Sequence, residues 1–373
     1  MHLENATPLA ATYLLAVLPS GHRRLVVVVK GTFDFPQKDP EAPATPADRQ
    51  HPLTDADIFS GEPGLSAPLY ESDLAVHKPA CDLILLGSAH PPGGRPTPAI
   101  PVALQFTPAA AARPLLRKTF HVLGPRRWHT TFGIRPGAPE PIHHPTPITY
   151  DTAFGGTDPR PGAPPTVATF LENPIGVGYH PHTPAADLHG RLLPNTEDPS
   201  KPIASPRATY RPLAFGPIGR NWQPRVRHVG TYGEAWLRDT FPFLPADYDD
   251  RHNQAAPPDQ QLPYPTGGEA ILLENLTPGG ITRLRLPTLD LPIELTRRDG
   301  PPETHRPNLD TILIEPDHRR LLLTWRTSFP IRRTSSELRE LIIGRMPPAF
   351  YRARAAGKRF VRSLRELDAI DRD

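Results

Sequence analysis

The chain has almost no cysteine: Cys81 is the only one among its 373 residues. No disulfide can form within it, and no multi-cysteine zinc framework can be built, which fits a reducing compartment. A long apolar run is missing too. Nothing approaches the ~18 consecutive apolar residues of a spanning helix. The N-terminal stretch Tyr13–Pro19 is short, and Glu4 stands before it where a secretory leader would carry basic residues. Charge of one sign is also lacking. A formal net charge of +3 is too weak to imply nucleic acid. Together these absences predict a soluble, cytoplasmic protein.

The signatures of common enzymes are absent as well. There is no His-Glu-x-x-His, no Gly-x-Ser-x-Gly elbow and no phosphate loop. Gly176-Val177-Gly178 runs into Tyr179-His180-Pro181, which does not open a helix, so a dinucleotide reading fails. The chain has 16 histidines, with His143-His144, His180, His182 and His189 in a Pro-rich stretch. Paired histidines can hold zinc, but loop histidines are the simpler reading. Glu71, Asp73, Asp151, Glu197 and Glu269 could pair for glycoside hydrolysis. Acceptors for loop N–H groups are the plainer role. Cys81 lies on an apolar, strand-like run, where desolvation raises a thiol pKa and disfavours nucleophilic use.

Proline, by contrast, is abundant: 53 residues, with 27 glycines. The prolines punctuate short apolar runs instead of forming one block. Proline breaks helix interiors and central strands, which disfavours an all-helical or α/β fold. A mostly β fold is predicted, of one or two sandwich-like units with long Pro/Gly-rich loops and a short helical tail.

Strands are expected at Thr12–Leu18 and Arg24–Phe35 around the turn Pro19-Ser20-Gly21-His22. The continuous run Val26–Val29 fits a strand buried on both faces. Further strands are read at Cys81–Gly87, Ala99–Phe106, Arg117–Leu123, Glu269–Leu273, Thr282–Leu286, Ile293–Thr296, Thr311–Ile314 and Leu321–Thr327. The predicted organisation is a β domain over 1–332 and a basic helical tail over 333–373. The domain comprises an N-terminal β unit (1–130), a loop-rich centre (131–220) and a C-terminal β unit (221–332). In the tail, Ser335 or Ser336 caps one helix, which Pro347-Pro348 stops. A second helix is expected over Phe350–Ile370, with Phe360, Leu364 and Leu367 on one stripe beside a basic face. It either docks on its own domain or binds a partner or membrane surface.

Two ordered matches join the ends of the chain. Leu3-Glu4-Asn5-Ala6-Thr7-Pro8 is echoed by Leu273-Glu274-Asn275-Leu276-Thr277-Pro278. His22-Arg23-Arg24-Leu25 and Lys30-Gly31-Thr32-Phe33 are echoed by His318-Arg319-Arg320-Leu321 and Arg326-Thr327-Ser328-Phe329. Either one supersecondary unit is used twice, or short strand-plus-turn segments are alike by chance. A dense aromatic segment follows the loop-rich centre, with Phe215, Trp222, Arg225, Tyr232, Trp236 and Tyr248. Trp, Tyr and Arg anchor interfaces, but these side chains could equally pack between loops.

The order of motifs resembles a bacterial family of unknown-function proteins associated with type VI secretion and encoded beside spike-tip proteins with a PAAR domain. The motifs are Asn5-Ala6-Thr7-Pro8, Lys30-Gly31-Thr32-Phe33, Asp55-Ala56-Asp57, Glu71-Ser72-Asp73 through Lys78-Pro79, Asp82 and Gly87-Ser88-Ala89. They continue through Trp128, Ala153-Phe154-Gly155-Gly156, Asn173-Pro174-Ile175-Gly176 and Leu193-Pro194-Asn195-Thr196-Glu197. Phe215-Gly216-Pro217, Trp222, Arg225, Gly230-Thr231-Tyr232, Trp236, Leu244-Pro245, Asp247 and Ala256-Pro257 complete them. One departure is Arg126-Arg127, where a Gly-Asp-Arg-like turn is expected before Trp128. The resemblance implies a non-catalytic adaptor or chaperone without a cofactor. It would bind a type VI effector, often PAAR-containing, and help load it onto the valine–glycine-repeat spike. A metal-dependent or carboxylate-pair hydrolase, or a secreted toxin component, are the alternatives. The surface from Phe154 to Trp236 is the expected contact region, with Phe154, Trp222, Arg225, Tyr232 and Trp236 as anchors. Neither catalytic nor metal-binding residues are expected.

Overall fold

A computed structural model describes residues 1–37, 39, 42–160, 166–358 and 360–361. The protein is mostly β. In chain order, the strands that build its larger sheets begin with β1 (His2–Asn5), β2 (Ala10–Val17), β3 (Arg23–Asp34), β4 (Cys81–Leu85), β5 (Ala99–Thr107) and β6 (Leu116–Leu123). After the loop-rich centre come β7 (Gln261–Leu262), β8 (Ala270–Glu274), β9 (Ile281–Arg285), β10 (Ile293–Arg297), β11 (Glu303–His305), β12 (Asn308–Glu315), β13 (Arg320–Ile331) and β14 (Leu338–Ile343). The α-helices are α1 (Glu234–Asp239) and α2 (Pro348–Ala355).

These elements fall into two compact units, the larger made of Leu9–Leu289 and Asn308–Pro330. Its principal sheet has the order β7-β4-β12-β13-β3-β2. Val26–Val29 at its heart are 0% exposed, as a run without alternation requires. A second sheet runs from Thr196–Glu197 through β6, β5, β8 and β9. On β6, Leu116, Lys118, Phe120 and Val122 alternate inward, while Arg117 and Thr119 face out. The inward parity of Lys118 places a cation against the core.

The smaller unit gathers Met1–Pro8, Asp290–Pro307 and the described residues from Ile331 onward. Its sheet order is β1-β14-β10-β11, with β1 parallel to β14 and β10 antiparallel to it. Ile342, Met346 and Phe350 form its core cluster, with Ala6 and Phe360 packed against them. The helix read from Ser335 is not formed. Ser335–Glu337 makes one 3₁₀ turn, and the chain then extends as β14. The cause is tertiary: Leu341, Ile342 and Ile343 are at most 1% exposed between two partner strands, which outweighs helix propensity. Glu337 accepts instead from the backbone N–H groups of Arg332 and Arg333, 2.8 and 3.0 Å away. Of the second tail helix, the described residues show α2 over the beginning of the expected span. Leu364 and Leu367 lie outside the described residues.

The sequence-read boundaries at residues 130, 220 and 332 do not match this division. Strands from both chain halves pair within single sheets, because β pairing ignores sequence distance. The His-Arg-Arg-Leu match does have a structural counterpart. The hairpins β2–β3 and β12–β13 lie side by side, with β3 against β13. The Phe35 N–H donates to the Arg319 carbonyl at 2.9 Å, while Arg24 donates to Ser328 Oγ at 2.8 Å. The inner strands therefore run antiparallel, as two copies related by a local twofold would. The Leu-Glu-Asn match does not follow, since its copies lie on β1 and β8, in different units.

Candidate functional site

The long motif Glu71–Pro79 and Asp82 form a set of buried ionic fasteners. Lys30 donates to Asp73 Oδ2 at 2.8 Å, and the Thr54 N–H donates to the same oxygen at 2.7 Å. Lys78 donates to Asp82 at 2.8 Å, and Asp82 also accepts from Gln254 and from the Ala255 and Ala256 N–H groups, at 2.7–3.1 Å. Burial pushes the Asp82 carboxyl up from its ordinary range, against the pull of Lys78. Arg326 donates to Asp310 Oδ2 at 2.6 Å and to the Asp73 and Ala75 carbonyls at 2.8 and 2.6 Å. Asp57 accepts from Arg220, which, with the Ser72 N–H, holds its carboxyl low although burial opposes this. These contacts tie loop to sheet.

The other carboxylates singled out from sequence have internal partners too. Asp151 accepts from the Ala67 N–H at 3.1 Å, Glu197 from Arg126 at 2.5 Å, and Glu269 from the Thr266 and Gly267 N–H groups at 2.7 and 2.9 Å. Arg126 thus has a defined place where the motif pattern departs. Cys81 is fully buried, and burial pushes its thiol well up from the ordinary range. No group of three or more His, Cys, Asp or Glu side chains among the described residues is placed to hold a metal.

Three of the five expected anchors are interior. Phe154 is 1% exposed and sits among Phe170, Tyr210 and Tyr179, with ring centroids 5.1, 5.3 and 6.3 Å away. Its neighbours explain two motifs at once. Gly155 pairs with Gly178, and Asn173 donates to the Tyr150 and Phe154 carbonyls at 2.8 and 3.0 Å. A Cβ on Gly156, which has φ +103°, would stand 2.4 Å from the Gly176 carbonyl oxygen. Gly is required where backbones cross this closely. Trp222 is 1% exposed and meets Tyr150 edge-on at 5.5 Å. Arg225 is 3% exposed; it bonds Glu71 and donates to the Ile218 and His252 carbonyls at 2.8–3.0 Å. A partner docking on the folded surface cannot reach these side chains, so all three act as core and fasteners.

Tyr232 and Trp236 sit differently. They belong to a loop over residues 230–247 whose ends are tied by Asp247, which accepts from the Thr231 N–H at 3.0 Å and its hydroxyl at 2.7 Å. Trp236, half-buried, is the hub. Its Nε1 donates to the Phe243 carbonyl at 2.9 Å, and its ring meets Tyr232 at 4.7 Å and Phe241 at 5.5 Å. Around it Tyr232, Leu237, Phe241 and Phe243 are 48, 62, 61 and 50% exposed. Sequence reading missed Leu237, Phe241 and Phe243. The pattern Trp236-Leu237 followed by Phe241-Pro242-Phe243, apolar residues between loop punctuation, was the available signal.

Tyr232, Leu237, Phe241 and Phe243 thus form an exposed apolar cluster on a loop closed at its base. The chain belongs to the family described as an uncharacterized protein conserved in bacteria (DUF2169), whose sequence profile matches residues 20–326. No curated protein and no solved structure matches it. No helix among the described residues is long and apolar enough to cross a membrane.

Proposed function

We propose that this protein is a non-catalytic adaptor or chaperone of the bacterial cytoplasm. It binds a type VI secretion effector, often one with a PAAR domain, and helps load it onto the valine–glycine-repeat spike. The order of motifs described above suggests the system, and the exposed aromatic loop is the observation that carries the binding role. Tyr232, Leu237, Phe241 and Phe243 offer large apolar contacts, and the closed base of the loop limits the entropy lost on docking. Aromatic anchors of this kind dominate interface energies.

Affinity capture from the native host, read by mass spectrometry, tests the reading. Tagged wild-type protein should recover a PAAR-type effector or spike protein, and the variant Tyr232→Ser/Leu237→Ser/Phe241→Ser should not. Recovery of neither by wild-type protein at good yield would count against the adaptor role. Equal recovery by both forms would place the contact elsewhere.

A further inference from the structure

Away from the aromatic loop, a cavity of about 400 Å³ opens in the larger unit between β6, the turn at Tyr150 and the segments around residues 211, 224 and 258. Its volume is in the range of small-ligand sites. Lys118 and Tyr150, 6 and 3% exposed, both line it. Lys118 donates to Gln260 Oε1 at 2.6 Å and lies 3.3 Å from Asp259 Oδ2. Asp259 also pairs with Arg211 at 2.5 Å, so one carboxylate serves two cations. Arg227, also on the lining, has no carboxylate partner among the described residues. The Tyr150 hydroxyl has no hydrogen-bond partner among the described residues, although the residue is interior. The oxygen itself is not sealed from solvent, so the cavity presents it as a donor open to an incoming group.

We propose that this cavity binds a carboxylate that carries a compact apolar group. Charge selects a monoanion: Lys118, Arg211 and Arg227 against Asp259 and Glu172 leave the lining one positive charge in excess. The Tyr150 hydroxyl supplies a donor, and Ile218, Pro257 and Pro258 supply apolar wall. Burial pushes the Lys118 amine down to about 8, against the pull of Asp259, so an incoming anion relieves a cation held at a disadvantage. The carboxylate could come from a free acid or from the C-terminus of a polypeptide; the chemistry is the same. This site stands independently of the adaptor reading.

Calorimetric titration of the full chain with N-acetyl-L-leucine, N-acetyl-L-leucinamide, and a leucine-terminated hexapeptide with free or amidated end tests the proposal. At least one free acid should bind, and its amide about tenfold or more weaker, since a hydrogen bond to a charged group contributes on that scale. Tyr150→Phe, which keeps the ring against Trp222, and Arg227→Gln, at an exposed position, should each lower acid affinity severalfold with an unchanged melting temperature. Comparable affinity for the small acid and the peptide assigns a free acid; clear preference for the free-ended peptide assigns a chain end. Equal binding of acid and amide, no binding of either acid up to about 10 mM, or acid affinity untouched by both substitutions would overturn it.

Discussion

Lys118 is an inward-facing residue on a β strand, and its amine cannot leave the core without breaking the alternation of β6. The folded chain therefore holds it at about 8, while an unfolded chain holds it near 10.5. Below pH 8 both states carry the proton, and the folded state bears the full cost of burying it. Between pH 8 and 10.5 the unfolded state binds more protons, so this group's contribution to stability improves as pH rises. Lys118→Met should accordingly stabilise the protein at pH 7 by about 1–2 kcal/mol, after allowing for the Gln260 acceptor it strands. The advantage should vanish at about pH 9 and reverse by about pH 10.5, because the neutral amine still donates to Gln260 while its burial cost is gone. Urea unfolding of both proteins across that range measures it, and a destabilised variant at pH 7 would mean that the contact to Gln260 outweighs burial. Asp82 is the opposite case. Four donors converge on it, so Asp82→Ala leaves Lys78 buried without its nearest counter-charge and should cost about 3–5 kcal/mol in the same assay.

The aromatic residues divide between two kinds of element. Trp222 packs as core, and Trp222→Ala should lower stability by about 3–5 kcal/mol. Tyr232→Ser and Leu237→Ser lie on the exposed loop and should each change unfolding free energy by less than about 0.5 kcal/mol while weakening partner capture. If Tyr232→Ser proves as destabilising as Trp222→Ala, the loop is part of the core and its assignment as a contact surface fails. The sequence alone could not make this division. Trp222 and Trp236 are the same side chain in equally Gly/Pro-rich surroundings, and burial is decided by what arrives from elsewhere: Tyr150 packs over Trp222, whereas the rings that meet Trp236 among the described residues are the loop's own Tyr232 and Phe241. Strands were legible because their signal is local. Val26–Val29 and the alternation from Leu116 to Val122 declare themselves without partners. Ser335–Ile343 misled because a capping serine and a Leu-Arg-Glu-Leu pattern suit a helix, and only the flanking β1 and β10 make it a strand. The Lys118 cavity escaped notice for the same reason, although a lysine of inward parity among Leu116, Phe120 and Val122 was a readable anomaly.

For the whole molecule, the organising fact is that neither unit is continuous in sequence. The smaller one is closed by the first and last parts of the described chain: Leu3 faces Leu341 and Asn5 faces Ile343 in a parallel ladder. Parallel pairing of segments so far apart carries a loop-closure cost that the rest of the unit must offset. Ile293 and Leu295 of β10 cover the other side of β14. Deletion of residues 2–5 should therefore turn β14 into an edge strand without removing it. Hydrogen exchange of the Leu338–Ile343 amides is expected to accelerate by about tenfold or more, while Val26–Val29, in the larger unit, should keep their protection. Equal acceleration at both places would show that the units unfold as one cooperative body, and that the division seen in the packing has no energetic counterpart.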